Sequence, residues 1–159
     1  MSLAQNALIE LSSAQEFFNR STRNLQESHS TFAPAPGMMT AAQQVAHAAH
    51  TIDWFIEGAF RPEGFDTNWE AHAKAVDAFT SLAAARARFD KAIADAKATV
   101  ATKTDADLMV PLPANGIMGG APRLAVFSAL TDHTAHHRGA LTVYARLQGQ
   151  VPPMPYMES

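Results

Sequence analysis

The chain is divided into four long segments by stretches that contain proline and glycine, and this division restricts the fold more than any other feature. Each long segment repeats apolar residues every three or four positions, the period of an α-helix with one face in a core. The intervening prolines and glycines cannot continue a helix. The pattern therefore predicts an all-α fold of the four-helix bundle class.

The predicted helices have recognisable beginnings and ends, and they cover residues 3–28, 40–58, 68–102 and 122–148. Thr40 is a good N-cap for the second helix, and Pro122 is well placed as the first residue of the fourth. Between the third and fourth helices, residues 104–120 form a long irregular connection. Such a length predicts a crossover, a lid or a pocket wall.

The composition is that of one compact domain, predicted to span residues 1–159, with 47% hydrophobic and 17% charged residues. The large apolar share suggests a surface for self-association. A formal net charge of -3 gives no attraction for nucleic acid or an anionic membrane, so neither partner is expected. No basic region precedes an apolar run at the N-terminus, and no segment reaches membrane-spanning length, which predicts a cytoplasmic protein.

The chain contains no cysteine. This excludes disulfides, cysteine-type zinc sites and a thiol nucleophile supplied by the protein itself. Any metal ion must therefore be bound by histidine, aspartate or glutamate side chains.

Three of the seven histidines lie in the segment T-D-H-T-A-H-H-R-G-A-L, at His133, His136 and His137. His133 and His137 are one helical turn apart, so one metal ion can bridge them. They share their face with an apolar stripe, formed by Val126, Leu130, Leu141 and Tyr144. Because a buried imidazole nitrogen without a partner is unfavourable, two such rings in one stripe suggest a shared ligand.

The same pair has a simpler interpretation, in which the rings bond to backbone carbonyls or to water. Histidines four residues apart form a weak motif by themselves, and the H-E-x-x-H signature of zinc proteases is absent. His136 falls to one side of the pair, where it would reach a pocket rim or face solvent. A third ligand from another helix is needed to favour the metal interpretation.

The second helix supplies two candidates for that third ligand, His47 and His50, one turn apart on its semi-polar face. Spacing alone does not choose between them. Either one would give three neutral imidazoles, which leaves the fourth position of a tetrahedral site open for water or substrate. Open positions are typical of catalytic sites. His72, at the start of the third helix, has two interpretations: it approaches the site, or it is a surface residue of the first turn, and the second is the one expected.

Three segments together resemble the DinB-like family, metal-binding four-helix bundles that include YfiT and the bacillithiol and mycothiol transferases. They are T-A-A-Q-Q-V-A-H-A-A-H, then D-H-T-A-H-H-R-G-A-L, and the closing L-Q-G-Q-V-P-P-M-P-Y. The resemblance implies that His47, His133 and His137 are the metal ligands. It also implies an up-down-down-up arrangement and a homodimer. One position departs from the family pattern, because Ala140 stands where a glutamine is usual.

This resemblance leads us to expect a metal-dependent enzyme of the thiol-transferase type that acts on a small-molecule substrate. The metal would be divalent, with zinc as the default and nickel or iron as alternatives, and a low-molecular-weight thiol would be the co-substrate. Two alternatives stay open: a metal-dependent hydrolase and a non-catalytic, metal-binding dimer with a stress-response role. The candidates for lining the pocket are His50, Trp54, His136 and Tyr144, and His50 or His136 is a candidate proton carrier.

Overall fold

The computed structural model describes residues 1–114 and 116–157. Within these ranges the chain is helical and forms no β-strand. The α-helices are α1 (Leu3–Thr22), α2 (Ala41–Phe60), α3 (Trp69–Asp77), α4 (Leu82–Ala101), α5 (Asp105–Met109) and α6 (Ala125–Leu147), with a short 3-10 helix at Glu27–His29. The prediction of an all-α fold is confirmed. Asn115, in the predicted connection, lies outside the described residues.

Side-chain caps explain where the first long helices begin. The Ser2 hydroxyl accepts a hydrogen bond from the backbone N–H of Gln5, and the Gln5 side-chain oxygen accepts one from the backbone N–H of Ser2. Thr40 and Gln43 form the same reciprocal box at the start of α2. Each box satisfies amide groups that a helix N-terminus otherwise leaves without partners. The predicted N-cap at Thr40 is therefore confirmed.

The four long helices pack around one hydrophobic cluster. Helix α1 packs against α4 and α6, and α2 packs against the same two helices. The interior contains stacked Phe18 and Phe89 rings, whose centroids are 4.2 Å apart, and fully buried aliphatic side chains such as Leu11 and Ile52. Because α2 and α6 are in direct contact, their inward-facing side chains meet. The up-down-down-up order of the helices stays a prediction.

The third predicted helix is wrong as a single element, because the structure divides it into α3 and α4. The hydroxyl of Ser81 accepts a hydrogen bond from the backbone N–H of Ala84 and so begins a new helix. An N-cap residue has extended backbone, and Ser81 has φ -124° and ψ 127°, so the preceding helix cannot continue through it. The break allows α3 to pack on α2 separately from α4.

The first predicted helix is also too long, since α1 ends at Thr22 rather than near residue 28. The connection between α4 and α6 lies on the bundle, as its apolar content predicted. Leu108 and Leu112 are buried, and the backbone N–H of Leu3 donates to the Asp105 carboxylate at 2.8 Å. None of the helices in the described ranges combines the length and hydropathy that a membrane span needs.

Candidate metal centre

The centre begins with the pair His133 and His137, which α6 places one turn apart. Their Nε2 atoms are 3.3 Å from each other, and their ring centroids are separated by 4.5 Å. His137 is 6% exposed and His133 is half-buried. The two imidazoles therefore point the same nitrogen toward a common point at the edge of the core.

His47 of α2 completes the group. One nitrogen from each of His47, His133 and His137 lies within 4.8 Å of the others. The His47 ring centroid is 5.1 Å from that of His133 and 4.8 Å from that of His137. Of the two candidates that α2 offers, the structure brings His47 into the group and places His50 outside it.

The spacing of these nitrogens fits a tetrahedral ion. Two nitrogens that are each about 2.05 Å from zinc, with a tetrahedral angle between them, are about 3.3 Å apart. The His133 and His137 Nε2 atoms already have this separation. The group as a whole is wider, at up to 4.8 Å, so a bound ion requires its ligand rings to move closer together. The three side chains therefore fit a divalent metal with one open coordination position.

Burial keeps these imidazoles neutral. Burial, followed by the effect of the neighbouring imidazoles, lowers the pKa of His133 to about 4 and the pKa of His137 to about 3. Burial and the nearby His50 and His136 also lower the pKa of His47. A neutral imidazole has a free lone pair, which is the form that binds metal. The rings are thus in the binding form at neutral pH.

A chain of hydrogen bonds behind the centre orients His137. The Tyr144 hydroxyl donates to the Met39 carbonyl at 2.9 Å, and its oxygen accepts from the Gln44 side-chain amide at 3.3 Å. This turns the Gln44 Oε1 atom toward His137 Nδ1, 2.5 Å away, so that Nδ1 donates the hydrogen. The lone pair of His137 is then on Nε2, the atom that faces His133. Such partners typically fix the tautomer of a metal-binding histidine.

His133 has a second notable feature, on the other side of its ring. Its Nδ1 is buried and has no hydrogen-bond partner among the described residues. Buried polar atoms are nearly always satisfied, and leaving one without a partner costs roughly 1–3 kcal/mol. Hydrogen bonds within the described part of the protein therefore do not explain why His133 is held at this position.

A pocket of about 190 Å³ opens beside the centre. Its walls come from α2, α3 and α6, so the connection at 104–120, predicted as a possible wall, is not part of it. His47 and His133 form the end of the pocket nearest the centre. Trp54 and Trp69 are among the side chains that line the rest of the pocket. His50 and Trp54, two of the predicted pocket residues, do line this space.

His50 is paired with a histidine that the sequence placed at the surface. Its Nε2 is 2.8 Å from Nδ1 of His72, and the His72 side chain is only 19% exposed. The Nε2 atom of His72 lies 3.2 Å from the Asp66 carbonyl oxygen, which can only accept, so His72 donates there. Burial and the neighbouring His72 lower the pKa of His50. The expectation of a surface His72 is wrong because α3 folds over α2.

The other two predicted pocket residues lie elsewhere. His136 is exposed, and its ring touches the edge of His137 from outside the group, with centroids 4.9 Å apart. Tyr144 is only 2% exposed and lies behind the centre, where it supports Gln44. Neither side chain is among those that line the pocket. Tyr144 belongs to the apolar stripe of α6, and because that stripe faces the core, its ring lies in the interior of the bundle.

Sequence reasoning missed three residues of this region, Gln44, Trp69 and His72. Gln44 had a detectable signal, since it lies one turn before His47 in a helix that is otherwise rich in alanine. A polar side chain in such a position needs a partner. Trp69 and His72 had only an indirect signal, the length of the third predicted helix, because their positions depend on the break at Ser81.

A larger groove, of about 470 Å³, lies between α1 and α6. It is lined by residues of a different face of α6, including Thr131 and Arg138, and by no histidine. The size of a cavity does not show that a reaction takes place in it. Side chains that can bind a metal ion are the better indication of a functional site. The smaller pocket, which shares His47 and His133 with the centre, is the candidate site.

The helical fold and the histidine cluster together define a helical protein with a centre suited to one divalent metal ion. A family model described as the DinB superfamily matches residues 10–141. The chain belongs to that superfamily, as the resemblance of its three sequence segments predicted.

Two solved structures share the fold. A DinB-like protein of Bacillus subtilis, YjoA, is 16% identical and has a TM-score of 0.69, and the match covers 96% of this chain and 99% of that one. A DinB-like protein of Bacillus cereus is 22% identical and has a TM-score of 0.70, with 95% of this chain and 93% of that one covered. No curated protein matches the sequence.

Proposed function

We propose that His47, His133 and His137 hold one divalent metal ion and that the protein transfers a low-molecular-weight thiol to a small electrophilic substrate. The observation that carries this proposal is the chemistry of the ligand group. It consists of three neutral imidazoles and contains no carboxylate or thiolate.

A neutral ligand group leaves the positive charge of the ion uncompensated. An anion is then favoured at the open position, because the buried surroundings screen charge weakly. When bound, a divalent ion at such a site favours the thiolate form of a thiol, which is the nucleophilic form. The chain has no cysteine to compete for that position, so the thiol comes from outside.

The residues of the chain have separate tasks in this proposal. The hydrogen-bonded chain through Gln44 holds His137 in its ligating tautomer. The aromatic walls of the pocket exclude water beside the reacting atoms and receive the substrate. The His50 and His72 pair lies at the same pocket and is placed to accept the thiol proton and pass it toward solvent.

The first test measures metal content in protein purified without a histidine tag, by inductively coupled plasma mass spectrometry. We expect about one ion per chain in the wild type, and a loss of that ion in His47→Ala and in His133→Ala/His137→Ala. His136→Ala is the matched control, since it removes an exposed histidine of the same helix that lies outside the group. A wild type that stays metal-free after reconstitution would refute the proposal.

The second test asks which reaction the loaded protein performs. Small thiols are assayed with monobromobimane or chlorodinitrobenzene, before and after metal removal by a chelator. We expect thiol transfer that depends on the metal and is lost in the ligand variants. Metal-dependent ester hydrolysis without thiol transfer would replace the transferase with a hydrolase. A loaded protein inactive in both assays would favour a non-catalytic role.

Zinc is the metal we propose, because it tolerates the tetrahedral geometry best among available ions. Nickel and iron also accept imidazole ligands. Reconstitution with each ion, followed by the transfer assay, ranks them. We expect zinc to be found in the protein as purified.

We also propose that the protein is a homodimer. Apolar side chains that bundle packing leaves exposed include Ile9 of α1 at 53%, Val143 of α6 at 53% and Leu147 of α6 at 57%. Val143 and Leu147 are one turn apart and form a continuous apolar strip. Light scattering coupled to size exclusion should give twice the chain mass for the wild type and the chain mass for Val143→Lys/Leu147→Lys. A monomeric wild type would contradict this.

A further inference from the structure

The pocket beside the three histidines has walls of an unusual kind. Aromatic rings dominate them: Trp54 lies 5.2 Å from Phe55 and 5.8 Å from Trp69, measured between ring centroids. Phe65, which does not line the pocket, supports Trp54 at 4.5 Å. Trp69 is 58% exposed and stands at the mouth of the pocket. An exposed tryptophan next to a cavity is a common feature of ligand sites, since the ring supplies a large and rigid contact surface.

Several polar atoms of these walls are already bonded within the protein. The Trp54 Nε1–H donates to the Asp66 carbonyl at 2.7 Å, and the same carbonyl accepts from His72. His50 Nε2 and His72 Nδ1 bond to each other. A ligand in the pocket therefore meets mainly ring faces at the walls. The imidazoles of the metal group are at the end formed by His47 and His133.

The walls also lack a formal charge. The lining side chains are His47, His50, Thr51, Trp54, Phe55, Trp69, His72 and His133. No carboxylate, lysine or arginine is among them. A charged group placed between these rings would lose its hydration without gaining a partner, so the walls disfavour it.

The volume restricts the occupant further. A cavity of about 150 Å³ in another protein, lined by aliphatic and aromatic groups, is known to bind benzene. The pocket here measures about 190 Å³, enough for one six-membered ring with one or two attached atoms. Aromatic rings prefer to stack on or meet the edge of other aromatic rings, which favours a planar ring over a puckered one.

We propose that this pocket binds a single uncharged aromatic ring, and that the substrate is an aromatic or benzylic electrophile. The ring packs against Trp54 and Trp69, which are themselves in contact, and its electrophilic carbon points to His47 and His133. This assignment of substrate class rests on the proposed transferase function. In the transfer the thiol first releases its proton to water or to His50. Its sulfur then bonds to the electrophilic carbon, and the leaving group departs with the electron pair of its broken bond.

Intrinsic fluorescence tests the proposal directly, because the chain has two tryptophans and both line the pocket. Metal-free protein is titrated with benzyl alcohol, cyclohexylmethanol and benzoate, with excitation at the red edge of the tryptophan band. We expect a saturable change with benzyl alcohol and a dissociation constant on the order of 1 mM. Binding should weaken by about threefold or more for the non-aromatic alcohol and about tenfold or more for the anion.

Variants locate the binding. Thr51→Leu fills the pocket from α2, and we expect it to weaken benzyl alcohol binding at least about tenfold. Thr131→Leu is the matched control, because it makes the same change in the separate groove between α1 and α6, and it should bind as the wild type does. Trp69→Ala removes an exposed ring, so the fold tolerates it, and Trp54 still reports the reduced affinity.

The proposal is overturned if benzyl alcohol causes no saturable change in wild-type protein, if the three probes bind equally, or if Thr51→Leu binds as tightly as Thr131→Leu. Because the titration uses metal-free protein, its outcome does not depend on the metal or on catalysis. Ring binding in a chain that never takes up metal would disprove the proposed function and leave the aromatic pocket established. Transfer to aliphatic electrophiles without ring binding would disprove the aromatic pocket and leave the proposed transferase function standing.

Discussion

Gln44 offers the sharpest test of how the bundle prepares the metal centre. It accepts a hydrogen from His137 Nδ1 at 2.5 Å and donates one to the Tyr144 hydroxyl at 3.3 Å. Gln44→Leu keeps a side chain of similar size in the core but removes both bonds. His137 then has no partner to hold its Nε2 lone pair toward the other ligands. We expect zinc affinity to fall.

The size of the loss follows from what such partners contribute elsewhere. Removing a hydrogen-bonded neighbour of a ligating histidine typically lowers metal affinity by about 10- to 100-fold. This corresponds to about 1.4–2.7 kcal/mol of binding free energy. The metal-free protein should also lose roughly 1–3 kcal/mol of unfolding free energy, because the His137 N–H becomes a buried donor without an acceptor. The two losses are measured separately.

Competition with a chromophoric chelator measures the zinc affinity, and urea unfolding with a chelator present measures the stability. Gln44→Glu should bind zinc at least as tightly as the wild type, since a carboxylate is a stronger acceptor for the same N–H. Thr134→Val is the matched control: it removes a buried hydrogen bond of α6, from the Thr134 hydroxyl to the Leu130 carbonyl, that does not involve the centre. Gln44→Leu with affinity within about twofold of the wild type would refute the reasoning.

Three further predictions concern stability. Burial lowers the pKa of His133 to about 4 and of His137 to about 3, so as the pH falls below the ordinary value of 6.5 the unfolded chain takes up protons first. The unfolding free energy of metal-free protein should therefore begin to fall as the pH drops below about 7.5 and continue to fall to about pH 3. The fall should be smaller in a His133→Asn/His137→Asn variant, and urea unfolding across this range checks the sign. A glycine-to-alanine change usually stabilises a helix. Gly58→Ala should instead lower the melting temperature of the protein, because the added Cβ would lie 2.2 Å from the Phe65 ring. Ser81→Ala removes the cap of α4 and should cost about 1 kcal/mol in chemical unfolding, and an unchanged midpoint would contradict the role of this residue in the break.

The part of the site that lies within one helix was predictable, because spacing along a helix fixes which side chains share a face. His133 and His137 are four residues apart, so their juxtaposition needs only the helix itself. Tyr144 lies on the same stripe, yet its hydroxyl supports Gln44 rather than lining the pocket. An apolar stripe along a helix shows which way a side chain points, but it does not show which group on a neighbouring helix that side chain contacts.

The choice between His47 and His50 was beyond the sequence pattern, because it depends on how far α2 is rotated against α6. One turn of α2 separates the two residues, and both are half-buried. The structure turns His47 toward α6 and His50 toward α3. The family resemblance indicated the same residue, because the segment of α2 that carries the resemblance aligns on His47.

The length of the third predicted helix was evidence against a single helix, although its apolar periodicity continued without a break. A continuous helix over 68–102 has about 35 residues and is about 52 Å long, whereas α1 and α2, with 20 residues each, are about 30 Å long. A bundle cannot bury the apolar stripe of a helix that projects about 20 Å beyond its partners. The excess must fold back, and the cap at Ser81 is where it does so, leaving α4 with 20 residues that match the others. The residues that fold back are those of α3, and they bring Trp69 and His72 over the face of α2 that bears His50. The requirement that helices of a bundle match in length thus produces the wall of the pocket, and with it the aromatic surroundings that distinguish this site.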